Sequence, residues 1–105
     1  MNSITAVSQI TYSDLADYIR LDEVTTADQN TLETLLSVAK AFISNYTGLA
    51  EADLDNFADF VIVVFILVQD MWDNRTLYVD KSNLNKVVDT ILGMHSVNLL
   101  PTAED

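Results

Sequence analysis

The apolar segment between Phe57 and Trp72 constrains the fold of this chain more than any other part of the sequence. From Phe57 to Val68 every residue except Asp59 is apolar, and the many β-branched residues would by propensity alone favour a buried strand. The segment nevertheless continues to Trp72 without Gly, Pro or polar alternation, and its length of about 16 residues, or roughly 24 Å as a helix, favours a helix. Because this helix is apolar on all sides, we expect it to be central, covered by the other helices on one side and by neighbouring subunits on another.

Composition excludes several kinds of fold and site. With 105 residues, the sequence is long enough for one core without disulfide or metal staples. The absence of Cys excludes disulfides and thiolate sites, and a single His excludes a multi-His metal site within one chain. Two Gly and one Pro argue against Gly-rich phosphate loops and an all-β fold. We predict an all-α fold, a compact bundle of about four helices in a single domain, with residues 94–105 as a tail that moves on its own.

The charge of the chain restricts its partners. The sequence has 16 acidic and 5 basic residues and a net charge of -11. Since affinity for polyanions depends on Lys and Arg, this balance argues against tight binding to DNA or to anionic membranes. The uninterrupted apolar stretch from Phe60 to Val68 is about half the length that a bilayer requires, and Met1 to Val7 show no secretory signal. We therefore expect no membrane partner.

A short helix is predicted near the start of the chain. Thr11 is expected to cap it, with Asp14 three residues later, and Ile10 precedes the cap as a hydrophobic staple. Its apolar face consists of Leu15, Tyr18 and Ile19. The stretch from Arg20 to Glu23 is expected to close this helix.

A second helix is predicted from about Thr26 to Tyr46, with Gln29 completing a capping box on Thr26. Gly48 stands where a left-handed residue ends a helix. The apolar stripe follows helical spacing at Leu32, Leu35, Leu36, Ala39, Phe42, Ile43 and Tyr46. Phe42 and Tyr46 are accordingly expected in the core, rather than on an exposed aromatic platform for a ligand.

Polar residues predict where the last two helices begin, and Gly93 predicts where the fourth helix ends. Asp53 or Asp55 is expected to cap the central helix. A loop from Asn74 to Lys81 leads to a fourth helix, opened by Ser82 and ended by Gly93. The apolar stripe of that helix consists of Leu84, Val87, Val88, Ile91 and Leu92.

Two groups of residues suggest chemistry only superficially. The acids between Asp53 and Asp59 resemble a calcium loop, but Ala58 replaces the turning Gly and Val64 stands where a bidentate Glu is needed. His95 lacks an evident nucleophile or orienting acid, and a His near a helix C-terminus is more often structural. We therefore predict no enzyme activity, no catalytic or metal-binding residues and no cofactor.

The end of the central helix has the sequence Trp72-Asp73-Asn74-Arg75. One interpretation makes Arg75 a contact for a ligand or partner, since Arg binds carboxylates with two parallel hydrogen bonds. The other, which base rates favour, is that Arg75 binds the last carbonyls of its helix or an acid of this chain, with Trp72 in the core.

Three segments share their order and spacing with one known family. They end in Tyr18-Ile19-Arg20-Leu21-Asp22, in Asn45-Tyr46-Thr47-Gly48 and in Trp72-Asp73-Asn74-Arg75. Together they resemble the small helical head-tail connector proteins of tailed bacteriophages, which include DNA-packaging and head-completion adaptor proteins. That family has a Tyr-Leu-Arg-Ile-Asp-like stretch, a Tyr-Thr-Gly ending and an aromatic-acid-Asn-Arg ending in these places. The family often continues with a Leu-rich helix, an aromatic residue and Arg, where this chain has the segment Leu92 to Ser96.

The resemblance implies a structural protein of the phage or prophage virion, present in the host bacterial cytoplasm during assembly. Its members form a ring of about a dozen copies under the portal protein. The ring extends the DNA channel after packaging and provides a platform for a stopper or tail-completion protein. DNA only passes through such a channel, and acidic residues lining it would keep DNA from adsorbing.

The candidate site residues are subunit or partner contacts. In the connector interpretation, Arg20 and Arg75 fix subunit geometry or form ion pairs between subunits, and Trp72 anchors the end of the central helix. The apolar tail residues Val97, Leu99 and Leu100 would dock on a neighbour or on the portal. The alternative function is a small acidic DNA mimic that inhibits a host nuclease or repressor, which the net charge alone supports.

Overall fold

The computed structural model describes residues 4–96, apart from the side chain of Ser82. Four α-helices form the fold: α1 (Tyr12–Tyr18), α2 (Thr26–Thr47), α3 (Asp59–Asn74) and α4 (Lys86–His95). Short 3-10 helices lie at Val7–Gln9, Glu51–Asn56 and Lys81–Asn83, and residues 4–96 contain no strand. The predicted all-α bundle is confirmed. The predicted tail contacts Val97, Leu99 and Leu100 lie outside the described residues.

The apolar segment forms the central helix, α3, which packs against α1, α2 and α4. Its buried side chains are Phe60, Val61, Val63, Val64, Phe65, Leu67, Val68 and Met71. Burial of each such side chain stabilises the fold by about 1.5 to 3 kcal/mol, which outweighs the modest β propensity of the Val and Ile residues. Ile62 on α3 is exposed, so the described residues leave this position only partly covered. No helix within residues 4–96 is both long and apolar enough to cross a bilayer.

The start of α1 follows the predicted capping box. The Asp14 N–H donates to the Thr11 hydroxyl oxygen (3.3 Å), and the Thr11 N–H donates to the Asp14 carboxylate (2.9 Å). Leu15 is buried, and Ile19 packs against the core while remaining partly accessible. Tyr18 is more exposed than its place on the apolar face predicts, although its ring lies 5.0 Å from that of Phe65.

The prediction for the start of α2 is wrong by one residue. Thr25, rather than Thr26, is the N-cap, and Asp28, rather than Gln29, completes the capping box. The Asp28 carboxylate accepts the hydrogen bond from the Thr25 N–H, and a charged acceptor at a helix N-terminus is stronger than a neutral amide. Gly48 ends the helix in the left-handed conformation with φ 80°, as predicted.

The apolar stripe of α2 is buried only in part. Leu32, Leu35, Ala39 and Ile43 are buried, whereas Leu36 and Phe42 are half-buried. The prediction that Tyr46 lies in the core is wrong, since 38% of its surface is exposed. Its hydroxyl donates to the Asp89 carboxylate (2.8 Å), so the polar tip of the ring lies at the rim between α2 and α4.

The predicted caps of α3 are also wrong. Asp53 and Asp55 lie in the 3-10 helix Glu51–Asn56, which is anchored by buried Leu54, and α3 begins after Ala58 with no side-chain cap. Because this anchored turn precedes the helix, neither carboxylate stands at the helix start. Asp55 instead accepts a hydrogen bond from the Ser8 N–H (2.9 Å).

Both ends of α4 differ from the sequence prediction. Ser82 lies in the 3-10 helix Lys81–Asn83, and Asn85 caps α4 by accepting from the Val87 N–H (2.7 Å). Val88 and Leu92, four residues apart, face the core, which turns Val87 outward. Gly93 does not end the helix, so α4 includes the first two residues of the predicted tail.

Candidate functional site

A groove opens where the first turns of α2 meet the last turn of α3. We call it the Arg75 groove; its volume is about 240 Å³. It is lined by Asp28, Thr31, Leu35, Met71, Trp72, Arg75, Thr76 and Leu77. Since the start of α2 lies beside the end of α3, the two helices are antiparallel. The groove therefore lies at the end of the bundle where α3 terminates.

Trp72 and Arg75, two of the predicted contact residues, both line this groove. Trp72, expected in the core, packs against the core but is only half-buried. Leu77, which follows the helix, is 62% exposed. The groove thus combines accessible apolar surface with one guanidinium group.

Arg75 ends α3 in a left-handed backbone conformation with φ 57°. The Thr76 N–H donates to the Met71 carbonyl (3.0 Å), the hydrogen bond typical of a helix that ends at a left-handed residue. Gly is the usual residue here, because a side chain in this conformation costs about 1 to 2 kcal/mol. Arg at this position therefore costs stability.

Arg20 repeats this arrangement after α1. Its φ is 64°, and the Leu21 N–H donates to the Ala16 carbonyl (2.9 Å). Arg20 and Arg75 are the only non-Gly residues with positive φ in the described part of the chain. Both are exposed.

Neither arginine side chain is held by the part of the chain that the structure describes. Within residues 4–96 the single ion pair joins His95 to Asp59, and no hydrogen bond engages the side chain of Arg20 or Arg75. The expectation that Arg75 binds the last carbonyls of its helix holds for its backbone only, and its guanidinium group pairs with no acid among the described residues. The backbone N–H of Arg75, and not its side chain, donates to the last helical carbonyls. Both guanidinium groups are available to a partner.

His95 has an acidic partner, Asp59, which the sequence around His95 does not indicate. Its Nε2 lies 2.8 Å from the Asp59 carboxylate, and its ring centroid lies 4.5 Å from that of Phe57 and 5.1 Å from that of Phe60. These contacts join the end of α4 to the start of α3. They also explain why α4 continues past Gly93.

Two side chains outside the groove, Tyr46 and Asp70, have raised pKa values. A hydrogen bond to Asp89, together with partial desolvation and the charge of that carboxylate, raises the pKa of Tyr46. Desolvation at the wall of a second cavity, with the nearby charge of Asp73, raises the pKa of Asp70. Within residues 4–96 no three His, Asp or Glu side chains are grouped closely enough to hold a metal ion.

Comparisons with known proteins do not assign this chain to a family. No protein-family model matches the sequence, and neither curated proteins nor solved structures give a match. The connector hypothesis therefore depends on the three resembling segments and on the properties of the surface described above.

Proposed function

We propose that this chain is a structural subunit of a bacteriophage or prophage head-tail connector, which works by assembly rather than by catalysis. The observation that supports this most strongly is the pair of exposed arginines, Arg20 and Arg75, held in left-handed conformations at helix ends, whose side chains have no partner among residues 4–96. Non-Gly residues held in left-handed backbone conformations are concentrated at functional sites.

The charge of the chain makes another copy a suitable partner for these arginines. With a net charge of -11, two copies repel each other unless specific contacts bring opposite charges together. A guanidinium group binds a carboxylate through two parallel hydrogen bonds, and a second copy presents many carboxylates. Arg20 and Arg75 thus suit ion pairs between neighbouring subunits.

Apolar side chains on helix faces support assembly as well. Val87 and Met94 are 50% and 69% exposed, and their spacing of about two turns places them on one face of α4. Ile62 is exposed on α3. These side chains gain stabilisation when another subunit covers them, and a repeated contact between two different faces closes into a ring.

In this function a ring of about a dozen copies binds the portal protein and extends the DNA channel. One face then receives a stopper or tail-completion protein, and DNA passes through the lumen. Acidic side chains lining the lumen keep DNA from adsorbing to the wall, because like charges repel. The protein acts in the virion after assembly in the host bacterial cytoplasm.

Co-sedimentation with the portal ring from the same source genome tests this function. We expect the wild-type protein to sediment with the portal, and an Arg20→Gly/Arg75→Gly double variant to fold but remain in the supernatant. A Lys86→Gly variant, which removes an exposed cation at the start of α4, is the matched control and should still sediment. If the wild-type protein does not sediment with the portal but displaces DNA from a host nuclease or repressor, it is a DNA mimic instead.

A further inference from the structure

We propose that the Arg75 groove binds residues 97–105 of a second copy of this chain. The proposal deepens the connector hypothesis, because it names one contact between neighbouring subunits, and it depends on that hypothesis only for closure into a ring. It follows from the chemistry of the groove, from the sequence of the segment and from the position of the end of α4, which lies at the opposite end of α3 from the groove.

The groove suits a ligand that is both apolar and acidic. Half-buried Trp72 and exposed Leu77 supply accessible apolar surface, and Leu35 and Met71 lie buried beneath it. Arg75 supplies a guanidinium group without a partner within the described residues. Burying apolar side chains beside a carboxylate-guanidinium pair strengthens the pair, since less water competes for it. Asp28 also lines the groove and opposes an acidic ligand there; its carboxylate accepts from the Thr25 N–H in the capping box of α2, so the guanidinium group of Arg75 is the part of the groove that suits a carboxylate.

The segment after Ser96 has this composition. Its sequence is Val97-Asn98-Leu99-Leu100-Pro101-Thr102-Ala103-Glu104-Asp105, with apolar residues first and two carboxylate side chains last. Pro101 disfavours a helical conformation at the residue before it and so favours an extended ligand. Leu99 and Leu100 match the apolar wall, and Glu104 or Asp105 matches Arg75.

The end of α4 and the Arg75 groove lie at opposite ends of the bundle. His95 binds Asp59, so the chain leaves α4 beside the start of α3, whereas the groove lies beside the end of α3. The 16 residues of α3 separate them by roughly 24 Å. Nine residues extend over at most about 30 Å, so reaching the groove of the same copy would use nearly the whole segment as a linker.

When a second copy is placed end to end with the first, residues 97–105 no longer have to span the length of α3 to reach a groove. The groove of the second copy lies where the segment of the first copy begins, so the apolar and acidic residues enter the groove without crossing the bundle. Such a contact joins two different faces and leaves one groove and one segment free at the ends of the pair. It is therefore repeatable, and it closes into a ring when the rotation between copies permits.

Complementation between two variants tests the proposal directly. One variant ends after Ser96 and keeps only the groove; the other is the full chain with Arg75→Glu and keeps only the segment. We expect each variant alone to sediment as a monomer, and their mixture to form a dimer and nothing larger. The wild-type chain should form larger assemblies as its concentration increases, and a Lys86→Glu full chain, the matched control for charge reversal, should behave like the wild type.

A peptide of residues 97–105 provides the second measurement. It should bind the chain that ends after Ser96, and Arg75→Glu in that chain should weaken binding by about 10- to 100-fold. Peptide binding to the shortened chain but not to a monomeric full-length chain would show that the segment occupies its own groove, which overturns the proposal. Absence of peptide binding, with every variant folded by circular dichroism, would also overturn it.

These outcomes separate the groove contact from the connector function. If the chain that ends after Ser96 still binds the portal with full stoichiometry, the groove proposal fails and the connector function stands. If complementation succeeds but the wild-type chain ignores the portal, the contact between copies stands and the connector function fails.

Discussion

Replacing Arg75 with Gly should make the isolated protein more stable. The left-handed backbone at Arg75, with φ 57°, costs about 1 to 2 kcal/mol for a residue with a side chain, and Gly removes that cost. Gly also gains conformational freedom in the unfolded chain, which offsets about 0.4 to 1 kcal/mol. The net expectation is a gain of about 0.5 to 1 kcal/mol in the free energy of unfolding, because no ion pair or side-chain hydrogen bond of Arg75 with the described residues is lost.

Urea unfolding followed by circular dichroism measures this difference at a protein concentration low enough to keep the chain monomeric. For a chain of this size the gain corresponds to an increase in Tm of about 2 to 6 °C. Arg75→Ala is the matched control: it removes the guanidinium but keeps a Cβ in the left-handed conformation. Its stability should lie within about 0.5 kcal/mol of the wild type.

A destabilised Arg75→Gly variant would refute this reasoning. A loss of about 1 kcal/mol or more, shared by Arg75→Ala, would mean that the guanidinium stabilises its own chain. The reasoning also requires opposite effects on folding and association, since Arg75→Gly removes the group proposed to bind another subunit. A variant that is more stable and also associates normally would exclude Arg75 from the contact surface.

Three further predictions concern single side chains. Trp72→Ala should destabilise the fold by about 2 to 3 kcal/mol in urea unfolding, less than a fully buried Trp, because the ring is half-buried; an unchanged midpoint would place the ring outside the packed structure. Asp70→Asn should raise stability at pH 7, where the desolvated carboxylate beside Asp73 is charged, and the gain should vanish below the ordinary Asp pKa of 3.8; a gain that persists at low pH would have another cause. The raised pKa of Tyr46 means that its hydrogen bond to Asp89 stabilises the fold below pH 10 and is lost above it. Tyr46→Phe should therefore flatten the decline of stability at alkaline pH, and an unchanged decline would contradict this role.

Periodicity and length predicted the helices that carry most of the core. The stripe from Leu32 to Ile43 and the long apolar run of α3 are local patterns, and local patterns are enough to identify helices that bury one face or all faces. The αL position of Gly48 was predictable for the same reason, because a helix end that needs a left-handed residue strongly favours Gly.

Positions that depend on contacts between distant residues were not predictable. The end of α4 is determined by His95 meeting Asp59, 36 residues earlier, and nothing in the local sequence indicates that pair. Tyr46 has the spacing of a core residue, yet its hydroxyl reaches Asp89 on another helix and keeps the ring at the surface. Helix spacing predicts a face, but the contacts of that face depend on how the helices pack.

The residues of the candidate site were also predictable only in part. Trp72 and Arg75 were identified from their cluster at the end of the apolar helix, and both line the groove. Leu77 was missed because it lies outside any helical stripe. The left-handed backbone of Arg20 and Arg75 was missed as well, since Arg at a position that favours Gly leaves no signal in the sequence.

The mass of the complex between this protein and the portal ring from its source genome tests the central claim most directly. Light scattering after gel filtration, at near-physiological salt, gives the number of copies bound. The connector function predicts a stable complex with about a dozen copies per portal ring, matching the symmetry of a closed assembly. A portal ring that elutes with unchanged mass in the presence of excess protein would contradict it.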